Sequence, residues 1–165
     1  MTDMECYEKS LATLELPAVL AVLAEEAVSE AARERALSLR PAEGRFEVER
    51  RLEETSAAKT LMTVQGSPSF GGLKNVCGSL ARADMGGVLN TRELLDIANL
   101  LQCARAVRSY AGGAGGQEKT AIDGLFRSLQ SNRYLEDKIR GAILGEEEIA
   151  DGASSELSDI RRKIR

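Results

Sequence analysis

The densest cationic run in this chain is Arg161, Arg162, Lys163 and Arg165. On one or two helical turns these side chains can touch backbone phosphates, whose attraction dominates nucleic-acid affinity. The same run suits a solvated helix C-terminus, where cations meet the negative end of the helix dipole. No aromatic residue is interleaved with it for base stacking. Glu146, Glu147, Glu148 and Asp151 could hold a hard cation, but they lack the alternating oxygen ligands and the turn glycine of a calcium loop. They read as a solvated loop. Glu25-Glu26 and Glu53-Glu54 are adjacent on helical segments, where neighbouring positions do not face each other. Cys6, Cys77 and Cys103 have no metal-type spacing and are odd in number, as expected for free thiols in a reducing cytosol.

The chain has no histidine, which removes the commonest general base and the usual zinc ligand together. Neither G-x-x-x-x-G-K-[ST] nor G-x-G-x-x-G occurs, and Gly112–Gly116 lacks the strand and lysine of a phosphate nest. That glycine run reads as a flexible joint. No catalytic residue, no metal site and no cofactor site is expected within these residues.

Several elements must position the remaining side chains. At 165 residues the chain is long enough for one ordinary domain. Aromatics are only 4%, so the core must be built from Leu, Ala, Val and Ile, which favours helices over a sandwich. The net charge of −4 gives no global attraction for polyanions, so nucleic-acid contact would need a local basic patch. Met1 is followed by acidic Asp3 and Glu5, not by a leader-like segment, and the apolar run Leu16–Ala24 is well short of the ~20 residues that span a bilayer. The expectation is a cytoplasmic protein with no membrane contact.

The periodicity predicts an all-α, multi-helix bundle with one small β-hairpin near residues 144–152. A first helical region starts near Ser10, with Pro17 at its beginning. A second is capped by Ser29, turns Ala32, Ala36 and Leu39 inward and is stopped by Pro41. A third runs from Phe46 to Val64, with Val48, Leu52, Thr55, Ala58 and Met62 as its apolar face, and Gly66-Ser67-Pro68 breaks it. A short piece, Val76–Ala83, lies between the pairs Gly71-Gly72 and Gly86-Gly87, which mark sharp reversals or backbone meeting backbone. Asn90 and Glu93 form a capping-box pattern opening a helix from Thr91 to Tyr110. Helices over 120–129 and 134–144 follow, and Ser154 caps a last one carrying Leu157, Ile160 and Ile164. The apolar face of that helix is still running at Arg165, which suggests a piece of a longer protein. The organisation expected is a helical subdomain over 1–111, a joint over 112–116 and C-terminal helices over 117–165.

Taken together, these residues resemble the N-terminal region of the bacterial second-type MutS paralogue. The resemblance runs through Leu11-Ala-Thr-Leu-Glu-Leu-Pro-Ala-Val-Leu20, Glu34-Arg-Ala-Leu-Ser-Leu-Arg-Pro41, Val48-Glu-Arg50 and Glu53-Glu-Thr-Ser-Ala-Ala58. It is strongest over Gly66-Ser-Pro68, Phe70-Gly-Gly72, Arg82-Ala83, Gly86-Gly-Val-Leu89 and Glu93-Leu-Leu-Asp-Ile-Ala98, and closes on Asp151, Ala153–Leu157 and Ile160–Arg165. The chain departs from the family near Glu147, where a turn glycine is usual, and at Ser155, where a proline is common. The resemblance implies a core or lever domain, followed in the full-length protein by a clamp, an ATPase and an Smr nuclease domain. It also implies ATP and Mg as cofactors of the full-length protein, branched DNA and the ribosome or rRNA as partners, recombination suppression, splitting of stalled ribosomes, and a homodimer formed mainly outside this segment.

Three readings follow. The first is a non-catalytic helical lever carrying ATP-driven motion to a nucleic-acid clamp. The second is an independent helical adaptor for a protein partner. The third, a stand-alone enzyme, would need a carboxylate-only mechanism.

Overall fold

A computed structural model describes residues 3–112 and 119–164. The chain opens with α1 (Asp3–Thr13) and α2 (Leu16–Glu25), so helix begins well before the expected Ser10 and is interrupted where a single region was anticipated. Pro17 causes the interruption. It has no N–H for the carbonyl of Thr13, and its ring would crowd that carbonyl, so one continuous helix cannot pass through it. The chain turns instead at Glu15, whose φ of 55° is left-handed, and restarts with Pro17 in the first turn of α2, where its missing donor costs nothing.

Ser29 caps α3 (Glu30–Leu37) as expected, accepting from the Ala32 amide at 3.2 Å. The helix stops before Pro41 is reached. The Ser38 hydroxyl donates to the Arg35 carbonyl at 3.0 Å and competes for the groups that the next turn would use. Leu39 therefore leaves the helix, and only Ala36 of the expected inward face is buried.

The larger correction concerns α4 (Arg45–Gln65). Its ends match expectation, with Gly66 at φ 78° closing it, but no residue of the helix is buried. The anticipated face offers about one apolar residue per turn, two of them Thr55 and Ala58. That stripe is narrower than the roughly 100° face a packed helix presents. The helix is supported by its own charges: Arg45 reaches Glu49 at 2.7 Å, Arg51 reaches Glu47 at 2.6 Å, and Arg50 sits between Glu47 and Glu54.

α5 (Cys77–Asp84) ends in a turn that uses both glycines of its pair. Gly86 takes φ 82°, and the Gly87 amide donates to the Arg82 carbonyl at 2.9 Å. The capping box of α6 (Thr91–Gly112) is present in both directions. The Glu93 amide donates to Asn90 Oδ1 and the Asn90 amide to Glu93 Oε2, each at 2.9 Å. Gly112 is the last residue of α6; the rest of the expected joint, 113–116, lies outside the described residues.

Beyond it come α7 (Asp123–Ser128) and α8 (Arg133–Ala142), the latter capped by Asn132. α8 ends two residues before its expected limit because Ile143 and Leu144 enter β1 (Ile143–Gly145). This strand pairs antiparallel with β2 (Glu148–Ile149), placing Ile143 opposite Ile149 and Gly145 opposite Glu148. Ser154 caps α9 (Ser155–Ile164), its hydroxyl accepting from the Leu157 amide at 3.1 Å.

The result is the expected all-α bundle with a small hairpin. α8 lies along α6, and α2 packs on α3. Val76, Ile97, Ala98, Ile139 and Ile143 form the core, with Leu89, Leu94, Leu95, Leu100 and Leu101 packed round them. Ala98 is fully buried, which lets α8 approach α6 closely. Among the described residues no helix is long and apolar enough to cross a membrane.

Candidate functional site

The basic end of the chain is partly consumed by structure. One Arg161 Nη donates to the Ile149 carbonyl at 2.9 Å and to Asp151, tying α9 to the hairpin. Arg162 reaches Asp159 at 2.9 Å on its own helix. Lys163 is exposed, and Arg165 lies outside the described residues. The sequence places these cations together; the fold assigns two of them to internal carboxylates.

A polar crossing between α6 and α8 was not legible beforehand. Glu136 is 4% exposed, yet it carries a carboxylate, and Arg105 answers it with a two-pronged contact at 2.9 and 3.1 Å. Arg140, one helical turn on, donates to Asn99 at 2.8 Å and Gln102 at 2.6 Å. The sequence signal is the position of Glu136, which sits one turn before Ile139 on the inward face of α8. An inward carboxylate requires a cation.

A second node locks the α5–α6 turn. Beyond closing the capping box, Glu93 accepts from Arg82 and, at 3.0 Å, from Ser79. Its carboxyl is held below the usual range, first by the Asn90 amide and then by Arg82.

These pairs set an acid response. Arg105 holds the Glu136 carboxyl below its ordinary 4.5, and Arg50, then Arg51, lower Glu47 to about 2. Folded-state values below the unfolded ones mean stability that is complete above about pH 4.5 and lost as pH falls through the depressed values. Helicity followed by circular dichroism should therefore decline below pH 4.5, with the contacts of Glu47 to Arg50 and Arg51 persisting to near pH 2. Glu136→Gln should flatten the upper part of this acid limb, since it removes the group that titrates between α6 and α8. An unchanged limb would show that the crossing contributes nothing.

Other expected groups stay apart. No group of three or more Cys, Asp or Glu able to hold a metal occurs among the described residues. Cys77 is exposed, and Cys103, half-buried, donates to the Ser69 carbonyl at 3.5 Å; burial raises its thiol pKa and keeps it protonated. An apolar groove of about 310 Å³ separates the end of α4 from α7, with Met62, Phe70, Tyr110, Leu125 and Phe126 among its walls.

This fold and these contacts define a helical segment of a larger class: an all-α scaffold stiffened by interhelical packing and ion pairs. No family model matches the chain. It is 40% identical over 159 residues to Endonuclease MutS2 of Agathobacter rectalis and to Endonuclease MutS2 of Ruminiclostridium cellulolyticum. It is 38% identical over 160 residues to Endonuclease MutS2 of Acetivibrio thermocellus. Each match takes in 96% of this chain and 20% of the relative, so the chain spans about one-fifth of the length of the curated relatives it matches. The chain belongs to the MutS2 family.

Proposed function

We propose that this segment is a non-catalytic lever of a MutS-type ATPase, transmitting motion along α6 and α8 without holding a reaction centre of its own. The observation that carries the reading is the α6–α8 pair. Apolar packing and two polar crossings, Arg105–Glu136 and Arg140 with Asn99 and Gln102, join the helices. Packed helices joined at several points move as one body. The relatives' name supports endonuclease activity for the intact protein, with DNA as the substrate the family resemblance implies. By the same reading, ATP and Mg are held outside these residues, the intact protein is a homodimer that suppresses recombination through branched DNA, and it also binds and splits stalled ribosomes.

The test separates turnover from transmission. In the intact protein, Arg105→Met combined with Arg140→Met should leave ATP hydrolysis within about twofold of wild type. ATP-stimulated DNA cleavage or ribosome dissociation should fall at least about tenfold, a loss of roughly 1.4 kcal/mol in coupling. Full ATP-coupled activity after deletion of this segment, or ATP hydrolysis by the segment alone, overturns the reading.

A further inference from the structure

The end of α6 and the short α7 border an open, shallow hollow of about 410 Å³, distinct in character from the apolar groove beside it. Arg108, Lys119 and Arg127 line it together with Asp123 and Phe126. Among the described residues, three cations and one carboxylate line this hollow, on a chain whose net charge is −4. Among the described residues none of the three forms an ion pair. Arg108 reaches only the Ser131 hydroxyl, at 3.5 Å, and the Arg127 Nε donates to the Asp123 carbonyl of its own turn at 3.3 Å. Asp123 accepts from the Thr120 hydroxyl at 2.6 Å and also lies in the field of Arg127 and Lys119, so it offsets part of their charge without forming an ion pair with either. The contrast with the chain end is plain: there Arg161 and Arg162 are spent on Asp151 and Asp159, whereas here the guanidinium forks remain available.

We propose that this hollow binds the phosphodiester backbone of a nucleic-acid strand, with Arg108, Lys119 and Arg127 on phosphates and the Phe126 ring beside the base. Planar guanidinium groups match phosphate oxygens in pairs, and lysine adds a mobile point charge. A concave cation array with an aromatic wall is the arrangement that single strands use, since every base has a face to stack. An acidic peptide would satisfy the cations and leave the ring unused, which makes it the poorer occupant. The sequence hides this site because its residues come from α6, from the segment before α7 and from α7 itself. The inference goes beyond the lever reading by giving the segment a ligand contact of its own, and neither stands on the other.

Fluorescence anisotropy of short labelled DNA and RNA single strands, titrated with the 165-residue chain, tests it. Arg108→Gln with Arg127→Gln should weaken binding about tenfold at low salt. The salt slope of log K should become shallower by about 1.4, near 0.7 for each charge removed. Lys119→Gln, at an exposed position, should act in the same direction to a smaller extent, separating lost contact from lost folding. Arg108→Lys with Arg127→Lys should keep most of the affinity, while Arg162→Gln with Lys163→Gln should leave it unchanged. The tighter of the two strands identifies whether DNA or RNA is the source of the phosphates. Absence of binding by the wild type, loss confined to the Arg162 and Lys163 variant, or equal competition by a polyglutamate peptide overturns the proposal. These readouts are binding isotherms, so their failure is distinct from a failure of ATP coupling.

Discussion

Ile139→Ala is expected to lower the unfolding free energy of this chain by about 3 kcal/mol, within the range of roughly 2–5 kcal/mol for emptying a buried isoleucine site. Ile139 is 7% exposed and stands on α8 against Ile97 and Ala98 of α6, with Val76 and Ile143 completing the cluster. Ala98, at 0%, has no side chain long enough to fill the void, and α8 cannot slide inward while the Arg105–Glu136 crossing fixes its height. The cavity therefore stays open. Only eleven hydrophobic residues are buried among the described residues, so one core position holds a large share of the total. Ile164→Ala supplies the control: at 79% exposure its truncation should shift stability by no more than about 0.5 kcal/mol. Urea denaturation monitored by circular dichroism measures both. A cost under about 1 kcal/mol for Ile139→Ala would mean that the α6–α8 contact is not where the fold is secured.

Gly87→Ala should be the next most damaging change, at about 1–3 kcal/mol. A Cβ there would stand 2.6 Å from the Cγ of Arg82 and 2.9 Å from its carbonyl oxygen. The arginine stem can swing aside, but the carbonyl cannot, because it already accepts the Gly87 amide and closes α5. Either the turn opens or that hydrogen bond is lost. Opening the turn also pulls Arg82 away from Glu93 and loosens the cap of α6. Gly71 is the informative comparison. Its φ is not left-handed and a Cβ would meet nothing within 4 Å, so Gly71→Ala should be neutral or slightly stabilising. Thermal melts of the two variants decide the matter, and equal melting temperatures would remove the steric argument for the second glycine pair.

The sequence was read correctly where one local signal acts alone. Ser29, Asn90 with Glu93, and Ser154 cap the helices they were expected to cap, because a side-chain oxygen within three residues needs no tertiary partner. Gly66 and the Gly86-Gly87 pair turn the chain where expected, since left-handed geometry and close approach select glycine whatever surrounds it. The reading failed where two local signals competed, or where packing decided. Pro17 divides what was anticipated as one region, and Ser38 ends α3 before Pro41 can. The expected apolar face of α4 remains uncovered, because periodicity reports which residues share a side but not whether anything packs there.

The same division runs through the functional residues. Sequence alone determined the helical class, the caps and turns, the kinship, and the cluster Arg161, Arg162 and Lys163, all of which follow from neighbours along the chain. Only the tertiary structure decided that Arg161 serves the hairpin, that Arg105 answers a buried Glu136, and that Arg108, Lys119 and Arg127 share a hollow. Electrostatic partners act over a few ångströms of space and are indifferent to the number of residues between them. The inward position of Glu136 calls for a cation, but nothing in the 31 positions between them names Arg105, whose contact exists only once α8 has folded back along α6.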